Sequence, residues 1–245
     1  MKIAILVEGA TEVAFKEKLC EFLQTRLGKQ MPRLKFIPQN GRIPKEEKLR
    51  RVVENLLSGN SAHDAVIALT DIYTGTKDFR LSRLCADKTT LYQTITGFQP
   101  SIGRHFVAFY TISTTDPEEP DFQDATDAKE KMMEWVGNNP KFYPHTALHD
   151  FEAWLLPYWE TIRSLAKHNR SAPSGSPETV NHQKPPSYWI KEIFESGRQS
   201  SYDKPIHGAK ILKKNELMIA IQACPELKAF VNQIISLCDG SQIIA

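Results

Sequence analysis

Glu8 and Asp71 are acidic residues placed where a sheet can deliver them to chemistry. Glu8 follows the unbroken apolar run 3–7 (IAILV), and Asp71 closes a second strongly hydrophobic run, 64–70 (DAVIALT). Continuous runs of strand formers read as parallel strands covered on both faces. Open α/β sheets place ligands at the carboxyl ends of such strands. If these two strands are neighbours, both carboxylates converge at one edge. Converging carboxylates with no cysteine or imidazole partner of regular spacing suit a hard cation, Mg²⁺ or Mn²⁺. Magnesium keeps several waters and is usually completed by substrate phosphates, so the matching reaction is phosphoryl transfer or phosphoester hydrolysis. Glu8 also has a plainer reading, as a charge that favours the first turn of the helix after it.

The elements that must position these residues follow from periodicity. Gly9 is expected to free the backbone for a tight turn. Thr11 is expected to cap a helix whose apolar face is Phe15, Leu19, Phe22, Leu23 and Leu27. A second strand falls at 34–38, a turn at 40–41, and a helix at 45–57 with Leu49, Val52, Val53, Leu56 and Leu57 inward. The other face of that helix carries Lys45, Lys48, Arg50 and Arg51, which can be a solvated face or a phosphate contact. A polar loop containing Asp78 follows the strand that ends at Asp71. Residues 91–97 read as a helix and 104–111 as a strand. Strands alternating with helices give a parallel sheet with helices on both faces, because the crossover is right-handed.

The acid-rich stretch 116–130 precedes a helix running to Val136, where negative charge at a helix start is favourable. A last short strand is expected at 144–148, and then a helix in which Glu152 points away from the packing face of Phe151, Leu155 and Leu156. Residues 168–187 are polar and proline-rich. Helices are expected at 188–195, 207–223 and 225–237. The layout is an α/β body over 1–160 and a helical C-terminal extension over 161–245.

The 245 residues are 41% hydrophobic and 24% charged, an ordinary soluble composition. A net charge of +2 leaves any basic surface local. Cys20, Cys85, Cys224 and Cys238 show neither C-x-x-C spacing nor pairing, which suits a reducing cytoplasm and argues against a zinc site. Cys20 and Cys238 sit among apolar neighbours, as small core residues do. No segment has the length of a membrane span or the pattern of a signal peptide. Neither a dinucleotide fingerprint nor a P-loop is present, and no G-x-S-x-G elbow.

Residues 7–12 (VEGATE) resemble the E-G-x-T-E signature of Toprim domains, found in topoisomerases, primases and overcoming-lysogenization-defect nucleases. Further stretches resemble a particular Toprim-like group, domain-of-unknown-function family 4276. These are TDIYTG at 70–75 with KDF at 77–79, HDFEAWL at 149–155, PETVN at 177–181, YDKPIHG at 202–208 and ACPEL at 223–227. They run in order over nearly the whole chain.

The resemblance implies a Toprim-like, mainly parallel sheet and a divalent-metal-dependent nuclease acting on DNA or RNA. Glu8 would act on metal or as acid/base, Asp71 as a metal ligand, and Glu12 and Glu152 as further acidic members. Toprim enzymes usually carry D-x-D after the third strand, whereas Asp71 is followed by Ile72 and Tyr73; Asp78 or Glu152 would have to replace the missing carboxylate. Lys204 and Lys184 could stabilise charge on a phosphate in flight. Arg42, Lys45 and Lys184 are the cations assigned to nucleic acid. His145, His149 and His207 are structural residues, ligands or proton carriers, and Trp154 and Trp189 read as packing residues rather than base-stacking ones. Proteins of this kind resemble the nuclease half of a pair with an ABC-type ATPase in bacterial anti-phage defence. The alternatives are a catalytically weak binding or sensor partner of that ATPase, and a phosphatase acting on small phosphoesters. A homo-oligomer is allowed for.

Overall fold

The structure, a computed structural model, describes residues 1–39, 41–72, 124–178, 185–197, 201–238 and 243–244. Asp78, Cys85, Lys184 and the elements expected at 91–97 and 104–111 lie outside the described residues. Four strands, β1 (Lys2–Val7), β2 (Arg33–Pro38), β3 (Ala65–Ile72) and β4 (Phe142–Leu148), form a sheet of order β2-β1-β3-β4. Every pairing is parallel. This is the mainly parallel α/β sheet flanked by helices that was expected from the sequence, with helices completing the C-terminal part.

Residues 3–7 are continuously apolar because both faces of the sheet are covered. Ile3, Ile5 and Val7 join Ile67 and Leu69 in one core with α1 (Ala10–Leu27) and the C-terminal helices. Ala4 and Leu6 join Val66 and Ala68 in a second core with α2 (Glu46–Leu57) and α3 (Ala125–Trp135). In α1 the buried set is Phe15, Leu19, Leu23 and Leu27, a strict four-residue repeat, and Phe22 is only partly covered. Asp124 caps α3 by accepting from the amides of Thr126 (2.8 Å) and Asp127 (2.9 Å), in line with acids favouring that helix start.

Several expectations are corrected. Thr11 does not cap α1. Gly9 is the N-cap, no side chain caps the helix, and Thr11 is buried inside it. Gly9 has φ −145°, an ordinary extended value, so its need is not conformational freedom. β4 begins at Phe142, two residues before 144. The expected helix at 207–223 is two helices, α6 (Lys204–Lys213) and α7 (Leu217–Ala223). Asn215 makes the break, since its side-chain amide donates to the Ile211 carbonyl (2.7 Å) and satisfies an acceptor that the next turn would have used. The helix from 149 is a 3-10 helix, Phe151–Tyr158, and Glu152 within it is buried rather than solvent-facing. It packs on β4, α4 (Trp159–Ala166), α5 (Pro186–Ser196), α6 and α7, with Phe15 of α1 and Phe230 of α8 (Pro225–Cys238) against its rings, so all its residues but Pro157 are enclosed.

Trp154 packs against Phe15, Phe151 and Phe230, and Arg170 lies over the Trp189 ring. Cys20, Cys224 and Cys238 are free thiols. Cys224 is fully buried, while Cys20 and Cys238 are half-buried against the first core.

Candidate functional site

The register that pairs Val7 with Leu69 puts Glu8 and Thr70 side by side where both strands leave the sheet. Glu8 Oε1 accepts from the Thr70 hydroxyl (2.5 Å) and from the Asp71 amide (3.0 Å). The two strand-end carboxylates therefore share one rim. They line a cleft of about 730 Å³ with Gly9, Thr11, Glu12, Val13, Pro38, Gly41, Phe151, Glu152, Lys204 and Pro205.

Each lining residue arrives by a different element. Glu12 is in the first turn of α1 and is 5% exposed. Its carboxylate stands 3.3 Å from where a Cβ on Gly9 would lie, so the glycine leaves room for an acid, which is its role here. Glu152 comes from the 3-10 helix after β4 and is 1% exposed. Lys204 opens α6, whose start Asp203 fixes by accepting from the Ile206 amide (2.8 Å). The Lys204 ammonium then donates to Glu152 Oε2 at 3.0 Å. α6 comes close to α1 at Gly208, where an added Cβ would meet Thr11 Cγ2 at 3.0 Å.

Burial and mutual repulsion set the electrostatics of the cleft. Burial pushes Glu8 up to about 7, against the bonds from Thr70 and Asp71, and Glu12 adds to the rise while Arg42 opposes it. Asp71 is raised well above the usual carboxylate range by burial and then by Glu8, Asp150, Glu12 and Glu152. Glu12 is raised by burial and by Glu152. Burial disfavours the Lys204 ammonium, but Glu152, Asp150 and Asp71 outweigh it and raise its pKa. One lysine thus faces several carboxylates that repel one another.

Asp150 is a member of this cluster that the sequence left without a role. It is fully buried, accepts from the Ser187 amide (3.1 Å) and is pushed up to about 7 by burial and then by Glu152. Thr70 was likewise missed. A threonine inside an apolar strand carries no signal, and only the register shows it holding Glu8. Tyr202 adds a buried hydroxyl raised by burial and then by Glu152 and Asp150.

Arg42 and Lys45 lie on the exposed segment after β2; neither lines the cleft, and Arg42 is near enough for its charge to act on Glu8. Gly41 there donates to the Glu8 carbonyl (2.7 Å), and Lys45 is the N-cap of α2 and does not line the cleft. The histidines are structural in placement. His145 packs edge-on to Phe230 and is held near 4 by burial and then Lys129. His207 lies against Phe194 and Tyr202, with Nδ1 accepting from the Asp203 amide. His149 is buried at the end of β4.

Among the described residues, no group of three or more His, Cys, Asp or Glu side chains stands ready to hold a metal ion in place. The donors nonetheless fit a hard, water-keeping cation. They are oxygen only and crowded into mutual repulsion, and two fully enclosed oxygens, Glu152 Oε1 and Asp150 Oδ1, have no hydrogen-bond partner among the described groups.

A family model described as Domain of unknown function (DUF4276) matches residues 7–235. The chain belongs to that family. No curated protein matches it. Among solved structures it is similar to the C-terminal region of the Burkholderia pseudomallei OLD protein, at 14% identity over 96% of this chain and 98% of that one, with a TM-score of 0.44. It is also similar to the C-terminal region of the Xanthomonas campestris pv. campestris OLD protein, at 16% identity over 95% of each chain, with a TM-score of 0.39. No described helix is long and apolar enough to cross a membrane.

Proposed function

We propose that the chain is a divalent-metal-dependent nuclease that hydrolyses phosphodiesters in DNA or RNA. The observation that carries this reading is the convergence of Glu8, Glu12, Asp71 and Glu152 with Lys204 around one cleft at the carboxyl rim of the sheet. Glu8 and Asp71 would hold Mg²⁺ or Mn²⁺, with Glu152 and Glu12 as further carboxylates. A bound cation of this kind supplies Lewis-acid polarisation of a phosphoryl oxygen and an activated water.

The protein's own groups do the rest. Thr70 and the Asp71 amide fix Glu8 through one oxygen, which sets its orientation towards the cleft. Glu8 would serve as a metal oxygen or, where the other carboxylates hold the cation, as the base that receives a proton from the attacking water. Lys204 is held by Glu152 and stabilises negative charge growing on the phosphate. Arg42 and Lys45, on the exposed segment after β2, would meet flanking phosphates. Asp78 and Lys184 keep their proposed roles as metal and nucleic-acid residues.

An ABC-type ATPase is the proposed partner and anti-phage defence the proposed setting, on the strength of the motif series. Tyr73, standing where a second acid is usual, favours a second reading, a binding or sensor partner of that ATPase with little catalysis of its own. Purified protein is incubated with plasmid, single-stranded DNA and RNA in Mn²⁺. Cleavage that disappears in Glu8→Gln and Asp71→Asn is expected, and cleavage surviving both substitutions refutes the assignment. Co-purification with the ATPase, without cleavage alone or together, supports the second reading instead.

A further inference from the structure

Asp150 is built unlike a structural carboxylate. Asp71 on β3 pairs with Ala147 on β4, and the His149 amide donates to the Ile72 carbonyl one step beyond the ladder. His149 then takes a left-handed conformation (φ +70°), and Asp150, fully buried, is the N-cap of the 3-10 helix that follows. Asp150 Oδ2 accepts from Ser187, while Oδ1 is enclosed and bonds to no described group. Two residues on, Glu152 has Oε2 on Lys204 and an enclosed Oε1 with no geometric hydrogen bond among the described groups, the buried Tyr202 side chain lying beside this carboxylate.

Glu178 shows what a structural acid looks like in the same molecule. Its two oxygens take the Trp154 indole N–H and the Glu226 and Leu227 amides. An enclosed carboxylate oxygen with no donor is costly unless something else satisfies it. Asp150 does not itself line the cleft, but its neighbours Phe151 and Glu152 do, and its charge is felt by both Asp71 and Lys204.

We infer that Asp150 Oδ1 is a metal-directed oxygen, supplying from the end of β4 the carboxylate that Tyr73 does not supply at the end of β3. With Glu152 it forms a pair two residues apart, just past the end of the neighbouring strand β4 instead of the end of β3. This rests on the divalent-metal reading above.

Calorimetric titration of the whole chain with MnCl₂ tests it, alongside melting temperatures in chelator. Asp150→Asn keeps an oxygen for the Ser187 amide and removes one repelling charge. Its Mn²⁺ affinity is expected to fall by about tenfold or more, while its metal-free melting temperature stays level with the wild type or rises. Asp150→Ser, which is smaller, should show the same loss of affinity. Wild-type affinity in both variants overturns the inference and leaves the metal reading standing. A fall of more than about 4 °C without metal in both variants marks a structural group and also overturns it. A wild-type chain that takes up no Mn²⁺ at millimolar concentration overturns the metal reading, and the role of Asp150 with it.

Discussion

Glu8 carries the largest consequence of a single side chain. Burial raises it from 4.5 to about 7, so near neutral pH the folded chain holds a proton that the unfolded chain has released. Stability from this group is fully present below about pH 4.5 and is lost as the pH rises through 7. His145, held near 4, acts in the opposite sense, contributing above its ordinary 6.5 and losing that contribution as the pH falls through 4. A difference measurement separates the two. Glu8→Gln keeps an acceptor for Thr70 and Asp71 and fixes the neutral state. In chelator it should melt with the wild type near pH 4.5 and increasingly above it as the pH rises towards 7, the gap widening by up to roughly 1.4 kcal/mol per pH unit. Thermal melts at several pH values check this, and a constant offset contradicts it. Convergence of Glu8 and Asp71 was legible because each acid ends an apolar run that only a doubly covered parallel strand explains. Asp150 was not legible, because its burial depends on the left-handed turn at His149 and on Ser187 brought in from α5.

Among the elements, α8 and the 3-10 helix depend on Glu178. Its bonds to Trp154, Glu226 and Leu227 satisfy the open amides of α8 and tie residue 178 to the helix that carries Glu152. Glu178→Ala leaves three buried donors unpaired and should cost about 2–4 kcal/mol in urea unfolding. Sequence placed Glu178 in a polar stretch, where nothing distinguishes a buried clamp from a solvated acid. A second contact sets Lys204. Gly208 lets α6 approach Thr11 of α1, and a methyl there presses on a stiff β-branched side chain. Gly208→Ala should destabilise by about 1–3 kcal/mol and weaken cleavage through displacement of Lys204, read from melting and rate together. The four described strands were placed within a residue or two. The 3-10 helix and the break between α6 and α7 were not, because tertiary enclosure and the Asn215 side chain decide them.

For the whole molecule, a net charge of +2 leaves the proposed nucleic-acid affinity to local cations such as Arg42. Arg42→Ala should lower affinity for all sequences alike and reduce the slope of log K against log salt by about 1, as measured by fluorescence anisotropy. An unchanged slope would place Arg42 off the path. The two cores fix the sheet from both sides, so the rim is held by the best-packed part of the fold, while the acids on it repel one another. That tension is what a cation would relieve under the proposed metal reading. The most direct measurement of the central claim is the rate of plasmid cleavage in Mn²⁺ by wild type, Asp71→Asn and Lys204→Ala, each shown to be folded. Rates should fall below detection for Asp71→Asn and by about 10²-fold or more for Lys204→Ala. Equal rates in all three proteins would contradict the account.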